Sequence, residues 1–373
     1  MKINIVKPFL PSFNELESSI SEILENGMVT NNGKYLKDFE LKLKSILKCK
    51  KTPIVVNNGE SALFNLIQAY KFKITKDIHS TFDVIVPSFT FSGTINAIVL
   101  NGLKPIFCDV DESLTIDLTK VKLTKNTKLM LIVGAYGNLP NIDEVLKFSK
   151  ENNIEVIFDN APAFLSTYKS DYVCNYGFSE TYSFHASKFF NSVEGGCIVT
   201  EDNYIHELLT QLRDFGQYEK ERGNIKLPGL NSKMSEICAI IGLKNLEKID
   251  FVLSNRNIVI EKYINFFSNL KNLGLVKLMK INNDVSCNYL YFPIILNNEC
   301  SDFVKYMQNN DITVRRYYSA THTLDFYKNS YSELNLEYTN NIKDNIVSIP
   351  LHTVMSDDEI EYLFNKILNY FEL

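Results

Sequence analysis

The chain has no tryptophan, five histidines, no Cys-x-x-Cys pair and no excess of basic charge, since 39 lysines and arginines face 44 acids for a net charge of −5. Each absence excludes a class of function. A mildly negative chain with interspersed charges lacks the electrostatic footprint of a nucleic-acid binder. The cysteines Cys49, Cys108, Cys174, Cys197, Cys238, Cys287 and Cys300 are odd in number and scattered. Neither a disulfide framework nor a zinc site is expected from them, and a reducing cytoplasm suits them. No histidine pair has the four-residue spacing of a helical metal site, and no G-x-G-x-x-G occurs to suggest a dinucleotide fold. No apolar run reaches membrane-spanning length, and Met1-Lys-Ile-Asn-Ile-Val6 lacks the apolar core of a secretion signal. The expectation is a cytoplasmic protein with neither nucleic-acid nor membrane partners.

What is present is 373 residues, 45% of them hydrophobic, enough to build two domains with large cores. Strand-like and helix-like segments alternate between residues 53 and 200, which predicts a mostly parallel sheet covered by helices. The clearest strands are 53–56, 83–86, 104–107, 128–133 and 155–158, with helices at 60–70 and 141–152 between them. A further helix is expected at 235–250, carrying Ile237, Ile240, Ile241 and Leu243. The domain change is placed at its end, giving a large domain 1–250 and a smaller α+β domain 251–373 with a strand at 289–296.

Two positions carry chemistry. In Thr181-Tyr-Ser-Phe-His-Ala-Ser-Lys188-Phe-Phe-Asn-Ser-Val-Glu-Gly-Gly196, two strand-like stretches are joined by a turn bearing one lysine. Shielded by Phe184, Phe189 and Phe190, such an amine can have its pKa lowered enough to condense with an aldehyde. Upstream, the strand 155–158 ends at Asp159, and a carboxylate at the carboxyl end of a parallel strand faces the crevice where α/β sheets bind ligands. Pyridoxal phosphate needs both groups: an amine for its aldehyde and an acid that keeps its ring nitrogen protonated. Its phosphate has a seat at Asn57-Asn-Gly59-Glu60-Ser61, a strand-turn-helix junction whose free N–H groups and dipole suit an anion.

These segments, in this order, resemble the DegT/DnrJ/StrS family of sugar aminotransferases, pyridoxal-phosphate enzymes of fold type I, the aspartate aminotransferase fold. The resemblance runs through nearly the whole chain, from Thr30-Asn-Asn-Gly33 through Val56-Asn-Asn-Gly-Glu-Ser-Ala-Leu63, Asp83-Val-Ile-Val-Pro-Ser-Phe-Thr-Phe91, Phe107-Cys-Asp-Val-Asp111, Tyr136-Gly-Asn-Leu-Pro140 and the Asp159 and Lys188 segments to Gly229-Leu-Asn-Ser-Lys-Met-Ser-Glu236 and Val347-Ser-Ile-Pro-Leu-His352. It implies Lys188 as the catalytic lysine and Asp159 as the ring-nitrogen partner. It places Phe89 as an aromatic ring stacked on the cofactor, with Gly59, Glu60, Ser61 and Ser183 around the phosphate. Asn231 would reach that phosphate from a neighbouring subunit, so that a homodimer shares each active site. Substrate contacts are implied for Thr30, Asn31, His185, Arg315, Tyr317 and His322. The chain departs from the family pattern in three places. Glu60 stands where a threonine is usual, Pro162 where many members carry Gln or His, and Ala320 where Arg-x-Tyr-Tyr-x-Pro has its proline.

The implied reaction is transfer of an amino group from L-glutamate to a nucleotide-linked keto sugar. Val193-Glu-Gly-Gly196 resembles the members acting at C-4, and the neighbourhood of Lys188 is most similar to those that aminate dTDP-4-keto-6-deoxy-D-glucose for O-antigen and other surface polysaccharides. A GDP- or UDP-linked sugar, or amination at C-3, stays open. The pyridoxamine-dependent dehydratases of the same fold carry histidine in place of Lys188. A catalytically silent sugar-nucleotide-binding protein is the rival of another class, since fold alone does not imply activity.

Overall fold

The computed structural model describes residues 1–218 and 221–373. Its centre is a seven-stranded sheet of β1 (Ile54–Val56), β2 (Asp83–Pro87), β3 (Lys104–Cys108), β4 (Thr127–Val133), β5 (Glu155–Asp159), β7 (Ser179–Ser183) and β8 (Gly196–Val199), in the order β1-β8-β7-β5-β4-β2-β3. The pairs among β3, β2, β4, β5 and β7 are parallel, and β8 runs antiparallel to both its neighbours. Short apolar runs such as Val84-Ile-Val86 and Leu129-Met-Leu-Ile-Val133 are buried on both faces, as strands covered by helices on each side must be. The covering helices are α1 (Phe13–Asn26), α2 (Lys34–Leu47), α3 (Gly59–Thr75), α4 (Ser92–Leu100), α5 (Ile142–Asn152), α6 (Asn203–Leu212) and α7 (Glu236–Glu247). The α/β architecture is the one expected.

The helix expected at 235–250 is two helices. Lys248 leaves helical geometry at φ −108°, ψ 12°, ending α7 at Glu247, and α8 (Ile249–Asn272) starts immediately after it. Beyond it, β11 (Val276–Leu278), β13 (Phe292–Leu296) and β14 (Ile346–Ile349) form an antiparallel sheet. Helices α8, α9 (Ser301–Asn309) and α11 (Asp357–Tyr370) pack on it around Tyr263, Phe267, Phe303 and Leu363. Ile3 joins this C-terminal core through a bridge to Ile312, so the first residues of the chain pack with its last third. The strand expected at 289–296 begins only at Phe292. Tyr289 has a positive φ of 46°, and the Leu290 N–H donates to the Tyr136 carbonyl instead of a sheet neighbour.

Smaller pairings lie outside the two sheets. Strand β6 (Thr167–Tyr168) pairs with β12 (Val285–Ser286), linking the chain before and after α8, while β9 (Gln217–Tyr218) and β10 (Glu221–Ile225) form a local antiparallel pair. The buried Asp109, just past β3, accepts the Tyr338 and Thr339 N–H groups at 2.9 and 2.8 Å and so caps α10 (Glu337–Ile342). Among the described residues no helix is long and apolar enough to cross a membrane.

Candidate active site

The carboxyl ends of β4 and β5, the start of α3 and α4, and the loop between β7 and β8 surround a cavity of about 330 Å³. This is the crevice at the carboxyl edge of an α/β sheet where ligands bind. Gly59, Glu60, Asp159, Pro162, Ser183, His185, Lys188, Arg315 and Tyr317 all line it, so residues far apart in the chain meet as the sequence suggests.

Asp159 ends β5 and is 7% exposed. Burial pushes its carboxyl pKa up, while Thr94, the Ala161 N–H and the positive Lys188 pull it down. The Thr94 hydroxyl donates to Oδ2 at 2.7 Å and the Ala161 N–H to Oδ1 at 3.2 Å. Thr90 lines the cavity and sits 2.9 Å from the Thr94 hydroxyl, completing a short polar chain. Lys188 lies in the same cavity. Burial lowers its amine to about 8, with the Asp159 carboxylate acting in the opposite sense. An amine near neutrality beside a carboxylate can condense with an aldehyde and then accept and return a proton.

The start of α3 forms the anion seat. Asn58 caps the helix, its side chain accepting the Ser61 N–H at 2.7 Å, and among the described residues the Gly59 and Glu60 N–H groups keep no protein acceptor. A Cβ on residue 59 would stand 2.7 Å from the Ser183 Cβ, so only glycine lets β7 approach the helix start this closely. Ser61 lies beside the cavity without lining it. The seat, the amine and the carboxyl fit pyridoxal phosphate: N–H groups and the Ser183 hydroxyl for its phosphate, Lys188 for its aldehyde, Asp159 for its ring nitrogen.

Two expected site residues are corrected. Phe89, expected to stack on the cofactor, is 0% exposed and packs between Tyr136 and Tyr318, with ring centroids 6.5 and 5.9 Å away. Its backbone bridges to Ala320, and its ring lies in the core; the phenylalanine of this segment that lines the cavity is Phe91, 59% exposed at the start of α4. His322, expected at the substrate, is 4% exposed, 2.6 Å from the Ser88 hydroxyl and packed against Phe107. It supports the end of β2 and does not line the cavity.

Thr30, Asn31 and Asn231 are exposed and outside the cavity of their own chain. They share a neighbourhood, because the Glu236 N–H donates to the Val29 carbonyl and the Glu236 carboxylate accepts the Gly33 N–H at 2.9 Å. Arg315 donates to the Tyr317 hydroxyl at 2.6 Å at the cavity mouth. His185 stands 2.8 Å from the Ser187 hydroxyl and 3.6 Å from Glu194. Pro162 offers an apolar wall, and its carbonyl accepts from Asn288. Thr90, Phe91, Thr94, Tyr291 and Tyr318 are cavity residues that sequence reasoning missed. Thr94 had a signal, as a hydroxyl beside the apolar residues of Ile95-Asn-Ala-Ile-Val99, and Tyr318 stands next to Tyr317 in the Arg-x-Tyr-Tyr-x-Pro stretch; Tyr291 had none, since an aromatic in a short apolar run reads as core.

The sequence profile of the DegT/DnrJ/EryC1/StrS aminotransferase family matches residues 13–368. The dTDP-4-amino-4,6-dideoxy-D-glucose transaminase of Shigella dysenteriae is 30% identical over 98% of this chain and 98% of its own length. GDP-perosamine synthase of Vibrio cholerae is 28% identical over 94% of this chain and 95% of its own. The solved structure of NtdA from Bacillus subtilis with bound cofactor PMP superposes with a TM-score of 0.85 at 24% identity, covering 99% of this chain and 86% of that one. With a match of this length and a cavity that fits the cofactor, the chain belongs to the DegT/DnrJ/EryC1/StrS aminotransferase family, whose cofactor is pyridoxal phosphate.

Proposed function

We propose that the chain moves the amino group of L-glutamate to C-4 of a nucleotide-linked 4-keto-6-deoxy sugar, dTDP-4-keto-6-deoxy-D-glucose, in surface-polysaccharide synthesis. The observation that carries the aminotransferase reading is the meeting of Lys188, its amine lowered to about 8, with the buried Asp159 in one cavity. When bound, pyridoxal phosphate supplies the electron sink that lets the donor α-carbon lose a proton. Lys188 would hold the cofactor through its amine and would carry the proton taken from the donor α-carbon. Asp159 would partner the ring nitrogen and keep its positive charge in place. The Gly59 and Glu60 N–H groups and the Ser61 and Ser183 hydroxyls hold the phosphate, joined by Asn231 of a second subunit in a homodimer. Phe91, at the cavity wall, would cover the ring. Arg315 and Tyr317 at the mouth suit the donor carboxylate or the nucleotide diphosphate.

The dTDP sugar is supported by the activity named for the Shigella dysenteriae relative and by the residues around Lys188. The Vibrio cholerae relative, at nearly the same identity, favours a GDP-linked sugar as the second reading. The first measurement is the visible absorption spectrum with pyridoxal phosphate, before and after L-glutamate. A band that forms, fades on adding glutamate and is missing in Lys188→Ala is the expected result. No band with excess cofactor would replace the enzyme reading with that of a silent binding protein. Product analysis with dTDP-, GDP- and UDP-linked 4-keto-6-deoxy sugars then separates the substrates; turnover of the GDP sugar alone would overturn the dTDP assignment.

A further inference from the structure

Beside Asp159 the sheet carries a second carboxyl that the reaction does not use. Glu180 lies on β7 opposite Phe158 of β5 and is 0% exposed. No lysine or arginine pairs with it among the described residues, and burial raises its pKa. A buried carboxyl is tolerated only where its oxygens are hydrogen-bonded. Both are: Oε2 accepts from the Asn160 amide at 2.6 Å, and Oε1 from the Cys174 N–H at 2.9 Å.

Asn160 follows Asp159 directly and opens the turn 160–163, its carbonyl accepting the Ala163 N–H at 2.8 Å. The other side of this turn rests on the end of β4. The Gly134 N–H donates to the Asp159 carbonyl at 3.1 Å, and a Cβ on residue 134 would stand 2.5 Å from Asn160 Oδ1 and 2.7 Å from the Ala163 Cβ. The turn is therefore wedged between Gly134 and Glu180. Within it the Ala161 N–H reaches back to Asp159 Oδ1 at 3.2 Å.

We propose that Glu180 is a positioning residue for Asp159: through Asn160 it fixes the turn that keeps the Ala161 N–H on the Asp159 carboxylate and the carboxylate aimed into the cavity. The proposal rests on the reading of Asp159 as the ring-nitrogen partner. Without the Asn160 link the turn has slack on one side. Asp159 then keeps Thr94 and Lys188 against the burial that favours its neutral form, and a displaced or neutral carboxyl no longer holds a charged ring nitrogen. A misplacement on the order of 1 Å in a catalytic group costs about 100-fold in rate.

The test uses the full-length protein loaded with pyridoxal phosphate, comparing Glu180→Ala, Glu180→Gln, Asn160→Asp and the double variant Asn160→Asp/Glu180→Gln. Glu180→Ala is expected to lower kcat about 10- to 100-fold with the KM for L-glutamate within about twofold, and to weaken cofactor affinity in a fluorescence titration. Glu180→Gln is expected to restore both, because Asn160 Oδ1 has no partner and its amide can turn to accept the new N–H. Asn160→Asp sets two carboxyls against each other and is expected to fail; adding Glu180→Gln supplies the missing donor and recovers it. Wild-type kcat and cofactor affinity in Glu180→Ala would overturn the proposal, as would a double variant no better than Asn160→Asp alone. Should Glu180→Ala fail to fold, the recovery of Asn160→Asp by Glu180→Gln decides in its place. If the wild type itself fails the glutamate half-reaction, the functional reading falls, and the cofactor titrations across the same variants still decide whether Glu180 positions Asp159.

Discussion

Asp159 is held between opposing forces, and the Thr94 hydroxyl is the partner closest to it, at 2.7 Å. A hydrogen bond to a charged group contributes about 1.5–3 kcal/mol, so Thr94→Val should lower kcat about 10- to 100-fold. Thr94→Ser keeps the donor and should stay within a few-fold of wild type; steady-state kinetics on the two variants checks this. Lys188 makes a pH prediction. Its amine titrates at about 8 instead of near 10.5, and only the neutral form attacks an aldehyde. The rate at which cofactor-free protein takes up pyridoxal phosphate should therefore rise about tenfold per pH unit below 8 and level off above it, as stopped-flow absorbance would show. A rate still climbing through pH 9 would mean an amine with an unshifted pKa. At this scale Lys188 and Asp159 were legible because few roles suit a shielded lysine and a strand-end carboxylate together. Phe89 and Phe91 were not separable, since both are phenylalanines two positions apart past a strand end. Only the bridge from residue 89 to Ala320 decides which ring enters the core.

The elements that build the site were readable where one force dominates. Buried strands announce themselves as short apolar runs, and the junction at Gly59 as a capped helix start. The break at Lys248 was not readable, because the apolar periodicity of α7 continues into α8 and the kink is a backbone event without proline or glycine. The cap of α2 was equally hidden. Its acceptor is Glu236, distant in sequence and 0% exposed, which takes the Gly33, Tyr35 and Leu36 N–H groups at 2.9, 2.8 and 3.3 Å. Leaving several buried donors unsatisfied costs about 2–4 kcal/mol. Glu236→Ala should lower the thermal midpoint by several degrees, with Glu236→Gln falling between it and wild type in a denaturation series. The same carboxylate ties α7 to the loop carrying Thr30 and Asn31, for which the family resemblance implies substrate contacts; on that reading the loss should extend to the binding of the sugar nucleotide.

At the scale of the whole molecule, the residues proposed for the site do not all meet at the cavity of one chain. Asn231, Thr30 and Asn31 stand outside the cavity, and among the described residues the only lysine or arginine side chains lining it are Lys188 and Arg315. Near Asn231 and the α1–α2 region the chain also exposes apolar side chains, among them Phe13 (71%), Leu230 (39%) and Ile237 (42%). Ile237 is one of the apolar residues of the helix expected at 235–250, and a second copy of the chain would bury it. The proposed homodimer predicts a division of labour between subunits, with Lys188 of one protomer and Asn231 of the other serving each site. Lys188→Ala and Asn231→Ala homodimers should each be impaired, the first without detectable turnover. After they are mixed, unfolded and refolded together, half of the dimers are hybrids in which one site carries both substitutions and the other neither. About a quarter of wild-type turnover should then return above the sum of the separate variants. Sedimentation would show the dimers, and recovery of activity on co-refolding is the decisive reading. No recovery from an Asn231→Ala protein that is itself inactive would place both residues in the site of one chain.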